Sequence, residues 1–244
     1  MKPPALNVKG QAHIGSQQIF TALNLDIAAA SWTCLLGRSG SGKTTILKLI
    51  AGLDEHISFT GAVLSSDKAP LYGRIALMSQ TDNLLPWLSV RGNVMVGSRV
   101  RGQEVDTEQA DELIRRVGLA DFADSKPHTL SGGMRQRVAL ARTLMEDRPV
   151  MLLDEPFSAL DAGLRAEMQE LAAELFVGKT VLLITHDPAE AARMGDRLFV
   201  MTESGVYEFN AVPPPPPDKF IRDFNSTDVL ETTGRLLAQF RETG

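Results

Sequence analysis

The hydrophobic positions of this chain fall into short uninterrupted runs that alternate with longer stretches of helical spacing. Five apolar runs have the length of strands, and they lie at residues 32–36, 75–79, 150–153, 181–185 and 198–202. Several of them show no alternation with polar residues, which is typical of strands covered on both faces of a sheet. The pattern therefore predicts an α/β fold with a mostly parallel sheet.

Between residues 80 and 145 the strand patterns fade, and helical patterns take over at 106–117 and 133–145. We interpret residues 81–147 as a helical insertion within a domain that spans residues 1–212. Residues 6–27 carry short strand-like pieces that predict a small N-terminal antiparallel sheet. Five consecutive prolines at 213–217 begin a stiff spacer, and the rest of the tail to residue 244 is predicted to dock on its own domain as a peripheral helix.

Composition narrows the class of protein. The chain has 244 residues, 43% of them hydrophobic, and a formal net charge of −5, which argues against a general nucleic-acid binder because phosphate contacts need a basic face. No apolar stretch approaches the length of a membrane span, and we expect the protein to remain in the compartment where it is made. The single cysteine, Cys34, lies in an apolar run and is predicted to be a packed core residue.

One segment between a predicted strand and a predicted helix matches the phosphate-loop pattern G-x-x-x-x-G-K-[ST]. Its residues are Gly37, Arg38, Ser39, Gly40, Ser41, Gly42, Lys43, Thr44 and Thr45. Glycines let the backbone point successive N–H groups at phosphate oxygens, and Lys43 adds a full charge for the β- and γ-phosphates. The Thr44 hydroxyl is suited to Mg²⁺, which prefers oxygen ligands. A chance match is the alternative, and the strand and helix around the loop argue against it.

Two carboxylates, Asp154 and Glu155, end the apolar run that starts at Val150. The C-terminal end of such a strand opens onto the crevice where ligands of α/β sheets bind. Because successive strand residues point in opposite directions, we assign Asp154 to the Mg²⁺ shell through water and Glu155 to polarising the attacking water. A solvated acidic turn after a core strand is the competing interpretation.

A second anion site is predicted where Ser131 caps a helix that begins with Gly132 and Gly133. A small nucleotide rarely needs two such sites from one chain. We therefore expect Ser131, Gly132 and Gly133 to contact the γ-phosphate of an ATP molecule held by another copy. A glycine-rich helix start without a ligand is the alternative.

Taken together and in this order along the chain, these motifs resemble the nucleotide-binding subunit of an ATP-binding cassette (ABC) transporter. The resemblance runs from the N-terminal strands to about Met201 and rests on the phosphate loop, Gln80, residues 130–133, residues 150–155, residues 158–161 and His186. It implies a phosphate-loop NTPase core of the RecA-like kind with a helical insertion. It also implies a homodimer that buries two ATP molecules with Mg²⁺ between facing subunits.

The resemblance also implies roles that the residues alone do not establish. Gln80 would sense Mg²⁺ and the attacking water. His186 would contact the γ-phosphate and hold Glu155 and the water in line, while Asp161 would cross the dimer interface. Many relatives carry an aromatic ring that stacks on adenine, but Ile14 stands at that position here, with His13 and Phe20 nearby.

The form of residues 85–94 and 130–134 resembles the nitrate, sulfonate, taurine and pyrimidine-precursor importers of that family. This likeness implies transmembrane permease subunits as partners, with a groove around Trp87 for a permease helix, and an extracytoplasmic binding protein acting indirectly. The protein would then lie peripherally on the cytoplasmic face of the inner membrane. The alternative is a soluble ABC ATPase of DNA repair or translation. A phosphate-loop kinase or GTPase would leave Ser131 and His186 unexplained.

Overall fold

The computed structural model describes residues 2–53, 55–202, 205–209 and 212–242, and for residues 241 and 242 it describes the backbone only. The chain forms two compact units. The first contains the described residues of 1–75, 149–154 and 177–244, and the second contains residues 76–148 and 155–176. Across these described ranges, no helix combines the length and the apolar character that crossing a membrane requires.

The described residues of the first unit form two sheets and three helices. Its strands are β1 Leu6–Ile14, β2 Gln17–Ile27, β3 Trp32–Gly37, β4 Ser58–Ser65, β6 Val150–Asp154, β7 Thr180–Thr185, β8 Arg197–Thr202 and β9 Gly205–Phe209. Its helices are α1 Lys43–Ala51, α7 Pro188–Met194 and α8 Thr227–Glu242. Strands β1 and β2 form the small antiparallel sheet predicted over residues 6–27, and β4, which was not predicted, pairs with the other edge of β1.

The larger sheet places the ends of its central strands along one edge. Strands β6, β7, β3 and β8 are parallel, and β9 is antiparallel to β8. Every residue of β3, β6 and β7 is buried, as their uninterrupted apolar sequences predict. The register pairs Leu36 with Thr185 and Asp154 with Ile184. The phosphate loop, Asp154 and His186 therefore all lie at the carboxyl edge of this sheet.

The C-terminal tail packs on the first unit. Arg222 is buried, and its Nη1 donates to the carbonyl of Gly195 at 2.9 Å, just after α7. Its own carbonyl accepts a hydrogen bond from Arg193 Nε at 3.0 Å. Helix α8 then buries Val229 and Leu236. Desolvation in this position lowers the pKa of the Arg222 guanidinium.

The second unit is mainly helical. Its elements are β5 Ile75–Met78, which starts at the last residue of the first unit, and the helices α2 Val90–Val94, α3 Val96–Val100, α4 Thr107–Arg116, α5 Gly132–Leu144 and α6 Ala162–Leu175, with single 3₁₀ turns at Ala120–Phe122 and Pro127–Thr129. Helices α4 and α5 confirm the predictions at 106–117 and 133–145. Asp106 caps α4 by accepting from Gln109 N at 2.8 Å, and Ser131 caps α5 by accepting from Met134 N at 3.2 Å.

Candidate nucleotide and catalytic site

The phosphate loop turns tightly between β3 and α1. Gly40 and Gly42 have φ values of 81° and 100°, a region that favours glycine. A Cβ at Gly42 would also lie 2.5 Å from Ile19 Cγ2, so a larger residue there would collide with β2. Lys43 is only 5% exposed, and its Nζ donates to the carbonyls of Gly37 and Arg38 at 2.8 Å each. The loop is thus wrapped around the lysine ammonium.

A cavity of about 380 Å³ lies beside this loop. Residues 38–41 form one wall, residues 17–19 of β2 form another, and Met201, Thr202 and Phe240 complete the lining. Its volume is within the range of small-molecule sites. The backbone N–H groups of the loop and the start of α1 give it a positive local potential, so the cavity suits a phosphate-bearing ligand.

Thr44 and Asp154 come together in the first unit. The Thr44 hydroxyl donates to Asp154 Oδ2 at 2.8 Å, and Asp154 is only 3% exposed. Thr44 lies in the first turn of α1, and Asp154 is the last residue of β6. A hydroxyl oxygen and a carboxylate oxygen therefore meet where the helix after the loop begins. Both are the hard oxygen donors that Mg²⁺ prefers.

His186 lies exposed at the carboxyl end of β7. The turn around it is held by Thr185 Oγ1, which accepts from Asp187 N at 3.0 Å, and by Asp187, which caps α7 by accepting from Ala189 N at 2.9 Å. Pro188 occupies the first helical position, as the sequence predicts. The imidazole is therefore presented by a rigid strand-to-helix turn.

Glu155 belongs to the second unit and has an unusual backbone. The expectation that it ends the strand beside Asp154 is wrong, because β6 stops at Asp154 and Glu155 adopts φ 49°. A glutamate in this left-handed region is strained, and such strain persists only where surrounding contacts enforce it. Gln80 Nε2 donates to Glu155 Oε2 at 3.3 Å, so the structure brings these two predicted residues together.

Ser131 and Gly132 are exposed at the start of α5. Their backbone N–H groups belong to the first turn, where helical N–H groups have no intrahelical partner. Gly133 lies close to the next predicted segment, since a Cβ there would approach the Ala159 carbonyl to 3.2 Å. The segment can therefore offer an accessible anion-binding turn.

Comparison with known families decides the identity of this arrangement. A family model described as "ABC transporter" matches residues 20–158, more than half of the chain. The chain belongs to the ABC transporter family. An uncharacterized ABC transporter ATP-binding protein of Haemophilus influenzae is 46% identical over 194 residues, which cover 79% of each chain.

Other relatives of this ABC ATPase carry a named transport role. The aliphatic sulfonates import ATP-binding protein SsuB of Delftia acidovorans is 41% identical, covering 80% of this chain and 78% of its own. SsuB 1 of Rhizobium johnstonii is 37% identical over 97% of this chain and 86% of its own.

Solved structures agree with the fold. The dimeric structure of MJ0796, a bacterial ABC transporter cassette, superposes with a TM-score of 0.75 at 28% identity, covering 86% of this chain and all of that one. A dimeric post-hydrolysis state of MJ0796 bound to ADP and Pi gives a TM-score of 0.73, covering 84% of this chain and 98% of that one. The predicted phosphate-loop NTPase fold and ATPase class are confirmed, and nucleotide binding follows from them.

One buried residue that contacts the backbone of Glu155 was missed by the sequence analysis. Gln136 of α5 is 6% exposed, its Nε2 donates to the Glu155 carbonyl at 3.1 Å, and its Oε1 accepts from Ala159 N at 2.8 Å. These hydrogen bonds connect Gln136 to Glu155, whose backbone is strained, and to Ala159 four residues later. Gln136 lies only three residues after Gly133, but nothing in the local pattern indicates that its side chain reaches Glu155.

Two further positions in the ABC ATPase qualify the expectations. Asp161 caps α6 by accepting from Leu164 N at 3.1 Å, so its side chain has a structural use besides any role at an interface. Phe20 is only 6% exposed within the core of the small sheet, which removes it as a surface for adenine. Ile14 is exposed but has no ring.

Proposed function

We propose that this ABC ATPase is the ATP-hydrolysing subunit of an importer for a small polar organic anion, with aliphatic sulfonates as the first class to test. ATP-driven closure of a homodimer, followed by hydrolysis and reopening, would drive uptake through a membrane permease. The observation that carries the proposal is the hydrogen bonding of α5 within one unit, which joins the Ser131 turn to Glu155 and to residues 82 and 83 at the start of the loop that leads to the exposed Trp87.

The nucleotide would bind at residues 37–45, with Lys43 turning from the Gly37 and Arg38 carbonyls to the β- and γ-phosphates. The paired oxygens of Thr44 and Asp154, 2.8 Å apart, fit Mg²⁺, Thr44 directly and Asp154 through water. Bound there with ATP, the ion would neutralise charge on the phosphate oxygens. Gln80 is proposed as a further oxygen ligand from its side-chain amide.

Hydrolysis needs a base that orients water and groups that hold the γ-phosphate. We assign the base to Glu155, whose carboxylate accepts from Gln80 at 3.3 Å. That hydrogen bond fixes the carboxylate and links it to the residue that would sense the water and the metal ion. His186 would donate to the γ-phosphate. A rigid turn suits that task because reorientation at the moment of reaction costs rate.

The homodimer is inferred from the α5 turn. Ser131, Gly132 and Gly133 would donate to the γ-phosphate bound by a second copy of the chain. Their exposure at the start of a 13-residue helix supports this role, because a helix N-terminus favours anions. The dimeric state of MJ0796 in both solved structures is consistent with it.

Coupling to a permease is supported by contacts that run from α5 to the loop after Gln80. Arg142 donates to the carbonyls of Asp82 and Asn83 at 2.7 and 2.9 Å, and Arg135 Nε donates to Asp82 Oδ2 at 3.0 Å. Burial lowers the pKa of Arg142, although the hydrogen bond to the Asn83 carbonyl remains exposed.

The same loop presents a surface that a partner could bind. Trp87 is 68% exposed, and its carbonyl accepts from Lys126 Nζ at 2.7 Å, which fixes the backbone beneath it. A large ring on a fixed backbone is the usual form of an interface anchor. We propose that a permease helix packs on it.

The solute and the location are inferred from the relatives named as sulfonate importers. We propose that the permease receives solute from an extracytoplasmic binding protein and that this chain acts at the cytoplasmic face of the inner membrane. The formal charge of −5 gives no support to the nucleic-acid alternative.

The dimer and the base are tested together by Glu155→Gln. This change should leave ATP binding intact, slow turnover by about 10²–10⁴-fold and trap a dimer at saturating ATP and Mg²⁺, measured by light scattering. Adding Ser131→Arg should return the protein to a monomer that still binds ATP. Asp106→Arg is the matched control, because it removes a helix cap in the same unit and adds the same side chain. Near-normal turnover of Glu155→Gln, or a dimer despite Ser131→Arg, would contradict the assignments.

Transport is tested in cells that depend on the chain. Cells that lack this protein should not take up a radiolabelled alkanesulfonate. Cells that carry Trp87→Ala should take up less of it, while the purified variant keeps its ATP affinity. Exposed Tyr72→Ala is the control for removing a surface ring from the other unit. Unchanged sulfonate uptake with lost nitrate or taurine uptake would reassign the solute. Unchanged uptake of all of them, with salt-sensitive DNA binding by the protein, would replace the importer by the DNA-linked class.

A further inference from the structure

The cavity beside the phosphate loop has one wall from the far end of the chain. Phe240, in the last turn of α8, lines it together with residues 17–19 and residues 38–41. Among the described residues that line this cavity, Phe240 is the only aromatic one. The aromatic ring beside the phosphate loop therefore comes from α8, which begins at Thr227, far along the chain from the loop.

The position of this ring follows from the packing of α8. Val229, Thr232 and Leu236 are buried, and Phe240 continues the same face of the helix at the next helical step. The Arg235 guanidinium lies 4.9 Å from the centroid of the Phe209 ring, which fixes the last turns of α8 against β9.

The other described residues that line the cavity have no aromatic ring to stack on a purine. Residues 17–19 are two glutamines and an isoleucine, and Phe20 is turned into the core. Stacking between a base and an aromatic ring stabilises binding and tolerates different bases, because every base has a π face. The cavity volume of about 380 Å³ leaves room for a base and ribose next to the loop.

We propose that the base of the bound nucleotide stacks on Phe240, so that the C-terminal helix forms part of the nucleotide site. This inference rests on nucleotide binding by the phosphate loop and is independent of import, of the solute and of the permease. It predicts little discrimination between ATP and GTP, since a ring face does not read the edge of the base.

The test separates the base from the phosphates. Binding of ATP and of inorganic tripolyphosphate is measured by calorimetry for the full chain and for Phe240→Leu, which keeps apolar volume in α8 but lacks a ring. ATP should bind about 5- to 100-fold more weakly to Phe240→Leu, a range that corresponds to the loss of one stacked base. Tripolyphosphate affinity should stay within about twofold, since its phosphates meet only the loop. Phe240→Trp should bind ATP at least as tightly as the wild type.

Leu237→Ala is the matched control, because Leu237 is an exposed apolar residue of the same helix and does not line the cavity. It should bind both ligands as the wild type does. Unchanged ATP affinity in Phe240→Leu would overturn the proposal. Tighter ATP binding would also overturn it, by showing that the ring obstructs the site. An equal loss for ATP and tripolyphosphate would overturn it too, because the effect would then lie in the loop. Failure of the uptake assay alone would leave these results untouched.

Discussion

Replacing Gln136 with leucine should disable Glu155 without touching a catalytic group. Leucine keeps the volume of the side chain but removes the hydrogen bond to the Glu155 carbonyl at 3.1 Å and the one from Ala159 N at 2.8 Å. The Glu155 carbonyl retains Ser158, whose Oγ donates to it at 3.0 Å, so the lasting damage falls on the Ala159 N–H. One lost hydrogen bond and one unpaired donor together cost about 2–3 kcal/mol.

That cost should appear both as stability and as rate. For a chain of this size it corresponds to a fall in Tm of about 5–10 °C, measured by differential scanning calorimetry. Glu155 is held at φ 49°, and release of that strain would move its carboxylate away from the position that Gln80 fixes. A displacement of about 1 Å at a catalytic group costs up to about 10²-fold in rate, so we expect kcat to fall by about 10- to 100-fold.

The assay must show that the loss is one of positioning. Phosphate release gives kcat, and ATP affinity is measured separately and should change by less than about threefold, because Gln136 makes no contact with the phosphate loop residues in its hydrogen bonding. Gln109→Leu is the matched control, since Gln109 is an exposed glutamine on α4 of the same unit. A variant at Gln136 with normal Tm and a kcat within about twofold of wild type would refute the reasoning.

Two further predictions follow from buried groups in the first unit. Lys43→Ala should lose most ATP affinity in calorimetry, whereas Lys48→Ala, on the exposed side of the same helix, should not; equal affinity of the two variants would mean that Lys43 serves only the loop carbonyls. Burial raises the pKa of the Cys34 thiol, so the folded state holds this proton where the unfolded chain releases it, and stability should decline as the pH rises above about 8.5. Urea unfolding at pH 8 and 10 measures that decline, which should be smaller in Cys34→Ala. The native protein should also react slowly with thiol reagents. Rapid labelling of Cys34 would show that its thiol is open to water.

The sequence was informative wherever a local pattern has a single structural solution. The buried strands, the phosphate loop and the cap at Ser131 each depend on neighbours within a few residues, and each appeared as predicted. Helix α6 was not predicted, although Asp161 marks its start, because the acidic residue was assigned to an interface instead.

Long-range contacts explain what the sequence could not predict. The left-handed backbone of Glu155 opposes the intrinsic preference of glutamate, and it depends on Gln136, which lies 19 residues earlier in the chain. The apolar spacing of α8 indicates a docked helix, but no pattern in it specifies the surface that Phe240 reaches. The local preference opposes the observed backbone at Glu155 and does not specify the surface that Phe240 reaches, so tertiary packing decides both.

The contacts of α5 give the proposed cycle a physical link between its steps. This helix is capped at the turn that would meet the partner's nucleotide, its Gln136 holds the backbone of Glu155, and its Arg142 holds the loop that carries Trp87. A helix is stiff along its axis, so a force on its N-terminus moves all three attachments together. Binding of ATP across a dimer would therefore displace Glu155 and the Trp87 loop together, because both are attached to helix α5. This predicts that Arg142→Met should weaken the coupling of uptake to hydrolysis more than hydrolysis itself, because it removes the hydrogen bonds to the carbonyls of Asp82 and Asn83 and leaves the attachment to Glu155. Equal loss of uptake and ATPase activity in that variant would show that α5 does not separate the two tasks.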